Sequence, residues 1–320
     1  MREFTVDSNI SGSRLDKIAA KFIGNASQGF VHKMLRKKNI TLNDKKADGS
    51  EILKEGDVVK IYISESTFEM FEKPAEEKTE LPKPDILFED ENIIAVNKPA
   101  GILSMKSNKE DVSENDMIVN YLGSDNFFTP GISNRLDRNT SGIILVGKNT
   151  AASRLLNEAI KTRAVSKHYL TVVGGKTPES GIYEAYLTKD AASNTVKVTE
   201  SGDEKDKIYT GVETIASNGR FSLVRIDLIT GKPHQIRAHM SYLGSPVCGD
   251  TKYGDKVTNN YFRGKYGLKR QLLHASEVEF AGMCDKLEYL NGTVIKAPLP
   301  EDFEGILIGE NLWQHGIPED

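Results

Sequence analysis

The sequence predicts an α+β fold, with a large domain on a mixed, largely antiparallel sheet and a small α/β unit ahead of it. Three observations predict it. From residue 86 onward, short β-branched and aliphatic runs recur with few helical patterns between them. Residues 1–63 combine two amphipathic helix patterns with short strand patterns. Residues 64–85 carry seven acids against three lysines, together with Pro74, Pro82 and Pro84 and little apolar periodicity. The expected organisation is a small N-terminal domain at 1–63, a linker at 64–85 and a large domain at 86–320.

Leu15, Ile18, Ala19 and Phe22 stand at helical spacing within residues 14–23, with Ser13 as the expected cap. A second helix is expected from Ser27. It turns Phe30, Val31, Met34 and Leu35 inward and Lys33, Arg36, Lys37 and Lys38 outward, and it ends near Asn39, where residues 40–42 read as a short strand. Residues 57–63 alternate as a half-buried strand. In the large domain, residues 93–97, 142–147, 169–173, 207–214 and 221–228 are strand candidates. Residues 151–161 form the clearest helix pattern, with Leu155, Leu156 and Ala159 on one face, and 235–243 is a second. Residues 188–207 are polar and read as a hairpin or loop with no motif of their own.

The chain has 320 residues, of which 38% are hydrophobic, enough for a large core and a smaller one. No stretch approaches the roughly 18–20 apolar residues of a membrane helix, and residues 1–7 hold no signal-like apolar run, so the expectation is a cytoplasmic protein without a membrane partner. Cys248 and Cys284 are far apart and belong to no ligand cluster; both are expected to pack, with no disulfide framework and no zinc site. The net charge of −4 hides an uneven distribution. Residues 1–63 hold twelve Lys/Arg against eight Asp/Glu, a local +4, which leaves −8 on the remainder. The basic section is the N-terminal one.

The run Asn134-Arg135-Leu136-Asp137-Arg138-Asn139-Thr140-Ser141-Gly142 brackets one carboxylate with two arginines ahead of the apolar run Ile143-Ile144-Leu145-Val146. Some hundred residues on stands Thr230-Gly231-Lys232-Pro233-His234-Gln235-Ile236-Arg237-Ala238-His239-Met240, followed by Gly244-Ser245-Pro246-Val247 and Gly249-Asp250-Thr251-Lys252-Tyr253-Gly254. These runs resemble the aspartate motif and the later blocks of RluA-type pseudouridine synthases. Lys167-His168-Tyr169 resembles the family's K-x-Y element, Leu272-Leu273-His274-Ala275 its late L-H-A element, and Asn97-Lys98-Pro99-Ala100-Gly101 the opening of its catalytic domain. The resemblance spans about residues 86–300. The layout of residues 1–63 resembles the ribosomal-protein-S-four-like RNA-binding domain.

The resemblance implies an RNA uridine isomerase that needs no cofactor and no metal, works as a monomer, and flips its target base into a pocket. Ribosomal RNA is the preferred partner and transfer RNA the alternative. It assigns the nucleophile role to Asp137, acting at the ribose or at the uracil ring, with Arg237 as the cation that keeps the carboxylate ionised and Tyr169 stacking on the base. Leu273 would close the pocket, with Leu272 the neighbouring choice. Arg135 and Arg138 would hold phosphates or support the Asp137 loop, and Thr140 or Ser141 would satisfy backbone groups there. Lys33, Arg36 and Lys37 would meet RNA phosphates, which supply affinity more than specificity.

Two departures from the family pattern stand out: Asn134 where many members have histidine, and Lys232-Pro233 in place of Arg-Thr. His234 and His239 lack the H-E-x-x-H spacing of a zinc hydrolase, and Thr140-Ser141-Gly142 lacks the G-x-S-x-G elbow of a serine hydrolase. The rivals to the isomerase are a non-catalytic RNA-binding or ribosome-assembly factor and, more remotely, a nucleoside hydrolase.

Overall fold

The computed structural model describes residues 1–7, 9–71, 81–108, 110–124, 127–175, 179–190 and 195–312. The N-terminal unit comprises β1 (Arg2–Thr5), α1 (Leu15–Phe22), α2 (Gln28–Arg36), β2 (Ile40–Leu42), β3 (Lys45–Lys46), β4 (Val58–Ile61) and α3 (Glu65–Glu69). Its four strands pair antiparallel in the order β1-β4-β2-β3. Leu15, Ile18 and Ala19 of α1 and Val31, Met34 and Leu35 of α2 form one core with Ile40, Val59 and Ile61. The Ser27 side chain caps α2 by accepting from Phe30 N, an interaction worth about 1 kcal/mol. Ser13 does not cap α1. Arg14 occupies that position without a side-chain cap bond, and its guanidinium pairs with Asp16 in the first turn instead.

The segment expected to be a linker begins as structure. α3 is capped by Ser64 and buries Phe68 in the N-terminal core, while Phe71 meets Phe30 with ring centroids 4.7 Å apart. The first core therefore reaches past residue 63, because two phenylalanines in an otherwise acidic run gain more from burial than the run loses by ordering. Residues 72–80 of that expected linker lie outside the described residues.

The second unit is built on β5 (Ile86–Glu89), β6 (Ile93–Lys98), α4 (Glu114–Leu122), β7 (Gly131–Ile132), β8 (Ser141–Gly147), α5 (Thr150–Thr162), β9 (Val165–Gly174), β10 (Gly181–Asp190), β11 (Thr195–Thr199), β12 (Lys207–Ser217), β13 (Phe221–Asp227), α6 (Gln235–Tyr242), α7 (Lys256–Tyr266), β14 (Leu273–Phe280), β15 (Val294–Lys296) and α8 (Glu301–Gly309). Eleven of these strands form one sheet in the order β11-β10-β12-β13-β9-β14-β8-β6-β5, with β7 on β8 and β15 on β14. Every pairing is antiparallel except β8 with β14. β10 and β11 pair as a hairpin that takes in residues 188–199, of which 191–194 lie outside the described residues, and the rest of the stretch 188–207 is a connection with a 3-10 turn at Glu204–Asp206 leading into β12.

Each residue of β8 is buried, as a strand covered on both faces requires. Ile143 and Leu145 pack under α5 with Ala152, Leu156 and Ala159. Ile144 and Val146 face the opposite side, where Tyr169, Val173, Leu273 and Ala275 meet Ile236 and Met240 of α6. Cys248 is buried, but Cys284 is exposed at the start of a short 3-10 turn, so only the first cysteine serves the packing role expected of both.

The units touch through Phe127, whose ring lies 4.9 Å from that of Phe4 and 5.6 Å from that of Phe22. Arg154 of α5 donates to the carbonyls of Gly12 and Ser11, and Lys21 donates to the carbonyl of Phe127. Among the described residues, no helix is long and apolar enough to cross a membrane.

The parallel contact of β8 with β14 tolerates only glycine at residue 142. Its φ is +110°, and a Cβ there would stand 2.1 Å from the Ala275 carbonyl oxygen. Gly142→Ala is expected to destabilise the protein by on the order of 3 kcal/mol or more, read as a lowered urea midpoint at an unchanged slope.

Candidate active site

Asp137 sits on the loop entering β8, and nearly every residue of that loop is tied down. Asn134 Oδ1 accepts from Leu145 N at 2.8 Å and its Nδ2 donates to Ile143 O at 3.0 Å, so the amide acts as a clamp on β8. Ser104 Oγ donates to Leu136 O and accepts from Leu136 N. Arg138 O accepts from Gly101 N and from Lys98 Nζ, while Arg138 Nε donates to Gly101 O. Arg138 thus supports the loop. Thr140 and Ser141 bond to side chains rather than to the backbone groups expected: Thr140 Oγ1 accepts from Gln271, and Ser141 Oγ lies 2.9 Å from His274 Nδ1.

Lys98 is fully buried beneath this loop and spends its three N–H groups on the carbonyls of Pro99, Ile102 and Arg138. Burial pulls its pKa down to about 8, against the upward pull of Glu114 and Asp137. Burial likewise raises buried Glu114 to about 7, opposed by Lys98. The lysine stays largely protonated at neutral pH and places positive charge under the loop.

Arg237 extends from α6 and joins two carboxylates. Its Nη1 donates to Asp137 Oδ2 at 2.8 Å, and Nε and Nη2 grip both oxygens of Asp250 at 2.7 and 2.8 Å. Asp250 is fully buried and also accepts from the backbone N–H groups of Lys252 and Tyr253. Burial works against the Arg237 charge, but Asp250 and then Asp137 outweigh it and hold the guanidinium above its ordinary pKa. Burial would raise the Asp250 carboxyl; the Arg237 hydrogen bonds and charge prevail and hold it below its ordinary value. With Oδ2 engaged, Asp137 keeps Oδ1 toward the cleft, 4.0 Å from His234 Nε2.

The first turn of α6 is fixed by Gln235, which donates to Tyr209 O and Thr210 Oγ1 and accepts from Thr230 Oγ1 and Lys232 N. His239 is buried and meets Thr210 Oγ1 at 2.9 Å. Among the described residues, no group of three or more His, Cys, Asp or Glu is placed to hold a metal ion.

A cleft of about 890 Å³ opens over this floor, within the roughly 300–1,000 Å³ of small-molecule sites. Asp137, Arg237, Tyr169, Leu273 and Arg135 all line it, so five of the expected residues converge. Leu272 is fully buried in a different core and is not a lining residue. Tyr169 is 5% exposed, and burial, then the Asp137 charge, raise its hydroxyl pKa. The ring therefore offers a neutral face to the cleft. Lys161, Arg163 and Lys167 line the cleft as well, with the Lys167 pKa lowered by burial. Arg138, Lys33, Arg36 and Lys37 do not line it; the last three lie exposed on α2 and at its C-terminal cap. Sequence reasoning gave no role to Lys98, Asp250 or Tyr253, although each stood inside a quoted motif.

The Arg237–Asp250 pair sets an expected pH response. Because the folded-state pKa of Asp250 is depressed below 3.8, its stabilisation is complete above the unfolded value and is lost as pH falls through the folded one. Asp250→Asn is therefore expected to unfold more easily than the native protein above about pH 5, with the gap closing below about pH 4. Denaturant titrations across that range check it; a gap independent of pH would contradict it.

Residues 92–242 match the family described as RNA pseudouridylate synthase. The chain is 32% identical over 320 residues to "Ribosomal large subunit pseudouridine synthase C" of Rickettsia bellii, covering 94% of this chain and 99% of that protein. It is 29% identical over 311 residues to the protein of the same name from Vibrio cholerae, covering 94% of each chain. "Uncharacterized RNA pseudouridine synthase YjbO" of Bacillus subtilis is 32% identical over 278 residues, covering 85% of this chain and 91% of that one. Among solved structures, human RNA Pseudouridylate Synthase Domain Containing 4 shares the fold, with a TM-score of 0.57 at 21% identity over 71% of this chain and 93% of that one. The chain belongs to the RNA pseudouridylate synthase family, and it is an isomerase that converts uridine in RNA to pseudouridine.

Proposed function

We propose that this chain modifies uridines of large-subunit ribosomal RNA in the cytoplasm, with Asp137 as the reactive carboxylate. The observation that carries the reading is the Asp137–Arg237–Asp250 constellation at the floor of the cleft. The isomerisation breaks the C1′–N1 bond and forms C1′–C5; C5 gives up a proton and N1 gains one. Atoms and oxidation states balance, so the reaction calls for no oxidant, reductant or group donor. Arg237 holds Oδ2 and the negative charge, which leaves Oδ1 as the oxygen to react. Tyr169 gives the uracil a flat apolar face and Leu273 bounds the same cavity. Arg135, at the exposed edge of the cleft, and the half-buried Lys167 meet the strand's phosphates as the base is flipped in.

The large-subunit substrate is supported by the names of the Rickettsia and Vibrio relatives, which align over nearly their whole length. The N-terminal unit, residues 1–71, acts in this reading as an S-four-like RNA-binding domain. Lys33, Arg36 and Lys37 project from the last turn of α2 and its cap into solvent, on a unit whose Phe4 and Phe22 pack against Phe127 of the larger one.

Pseudouridine mapping across ribosomal and transfer RNAs, in cells lacking the protein and complemented by wild type or Asp137→Asn, tests the substrate. Large-subunit ribosomal sites lost in the deletion and restored by wild type alone are expected. Loss confined to transfer RNA would overturn the substrate, and equal rescue by Asp137→Asn would overturn the role of Asp137.

The triple change of Lys33, Arg36 and Lys37 to Gln is expected to weaken RNA binding at low salt and to reduce the slope of log affinity against log salt by about two to three. Unchanged slopes would remove these residues from the RNA interface.

A further inference from the structure

His234 faces the oxygen of Asp137 that Arg237 leaves free, the reaction described above does not use it, and it is held in an unusual way. Its backbone lies in the left-handed region at φ +54°, at the N-cap of α6, a conformation that non-glycine residues adopt only when their surroundings impose it. Its Nδ1 lies 2.9 Å from the Tyr253 hydroxyl, and its Nε2 lies 4.0 Å from Asp137 Oδ1. The same Tyr253 oxygen accepts a hydrogen bond of 2.9 Å from the backbone N–H of Val196, on strand β11 of the hairpin.

Proton placement follows from those contacts. Val196 N–H can only donate, so the Tyr253 oxygen accepts there, and His234 Nδ1, 2.9 Å away, is placed to take the hydroxyl proton. Burial above all lowers the imidazole pKa below its ordinary value, which favours the neutral ring. A neutral ring that accepts at Nδ1 carries its proton on Nε2, the atom turned toward Asp137.

We propose that His234 is a positioning residue for Asp137, locked by Tyr253 and the β10–β11 hairpin as the Nε2–H tautomer. The N–H dipole then attracts Oδ1 while Arg237 holds Oδ2, and the carboxylate is fixed in rotation. With the proton on Nδ1, the Nε2 lone pair would face Oδ1 and repel it. This gives the hairpin a task at the site: one backbone N–H on β11 sets the ring chemistry beside the reactive carboxylate. The proposal rests on Asp137 being that carboxylate, a reading that Asp137→Asn tests separately.

The experiment is ¹⁵N NMR of the histidine rings in the full-length protein at about pH 7.5, with the His234 signals assigned by their loss in His234→Gln. A protonated Nε2 and an unprotonated Nδ1 are expected for His234. Tyr253→Phe is expected to shift the ring toward a mixture of tautomers and to lower single-turnover kcat about tenfold while KM stays within about twofold. His234→Gln, whose amide nitrogen can stand near Nε2, is expected to retain more kcat than His234→Leu. A protonated Nδ1 in the native protein would overturn the proposal, as would Tyr253→Phe leaving both tautomer and kcat unchanged, or equal losses in His234→Gln and His234→Leu.

Discussion

One guanidinium shared by two carboxylates is the contact on which the site depends. Arg237 is almost completely buried, Asp250 fully so, and Asp137 is about a quarter exposed. Breaking a buried charge pair from one side costs on the order of 3–5 kcal/mol, because the remaining charge is left without a partner. Arg237 is therefore fixed by Asp250 whether or not substrate is present, and Asp137 meets a cation that is already in place. A lysine could not do this, since three directed N–H bonds to two separate carboxylates need the planar fork of arginine. The rest of the fold holds the two ends of that contact still. Gln235 anchors the first turn of α6, Asn134 and Ser104 anchor the Asp137 loop, and Lys98 places a buried positive charge beneath it.

The parts of the fold that could be read from the sequence are those whose apolar pattern is strong by itself. β8 is a continuous apolar run, and α5 carries a clean stripe, so both stand within a residue or two of their expected bounds. β10 was not legible. Its Ile182 is exposed, its inward residues include the small Ala185, and only its pairing with β11 and β12 makes it a strand. α3 was hidden for the opposite reason: the acids around Phe68 and the prolines that follow marked the segment as a linker, whereas the buried phenylalanine decides its structure.

The site was legible as residues and illegible as contacts. Asp137, Arg237, Tyr169 and Leu273 come from four separate stretches, and all four line the cleft. The motifs gave Arg237 one partner, because the carboxylate that neutralises a buried arginine can lie anywhere in the chain. Asp250 lies thirteen residues on, at a turn whose backbone N–H groups also bind it. Asn134 follows the same logic. In the sequence it stood out only as a departure from the family pattern, yet its amide spans two backbone groups of β8 and keeps the loop on the strand.

The central claim is that Asp250 acts on the reaction mainly by fixing Arg237. A double-mutant cycle of Asp250→Asn and Arg237→Lys, read as the single-turnover rate of pseudouridine formation, addresses it most directly. The expected result is strong non-additivity: Asp250→Asn slows the native enzyme about a hundredfold but changes the rate of Arg237→Lys by less than about threefold. Rate losses that multiply across the pair would contradict the account and give Asp250 a role independent of the guanidinium.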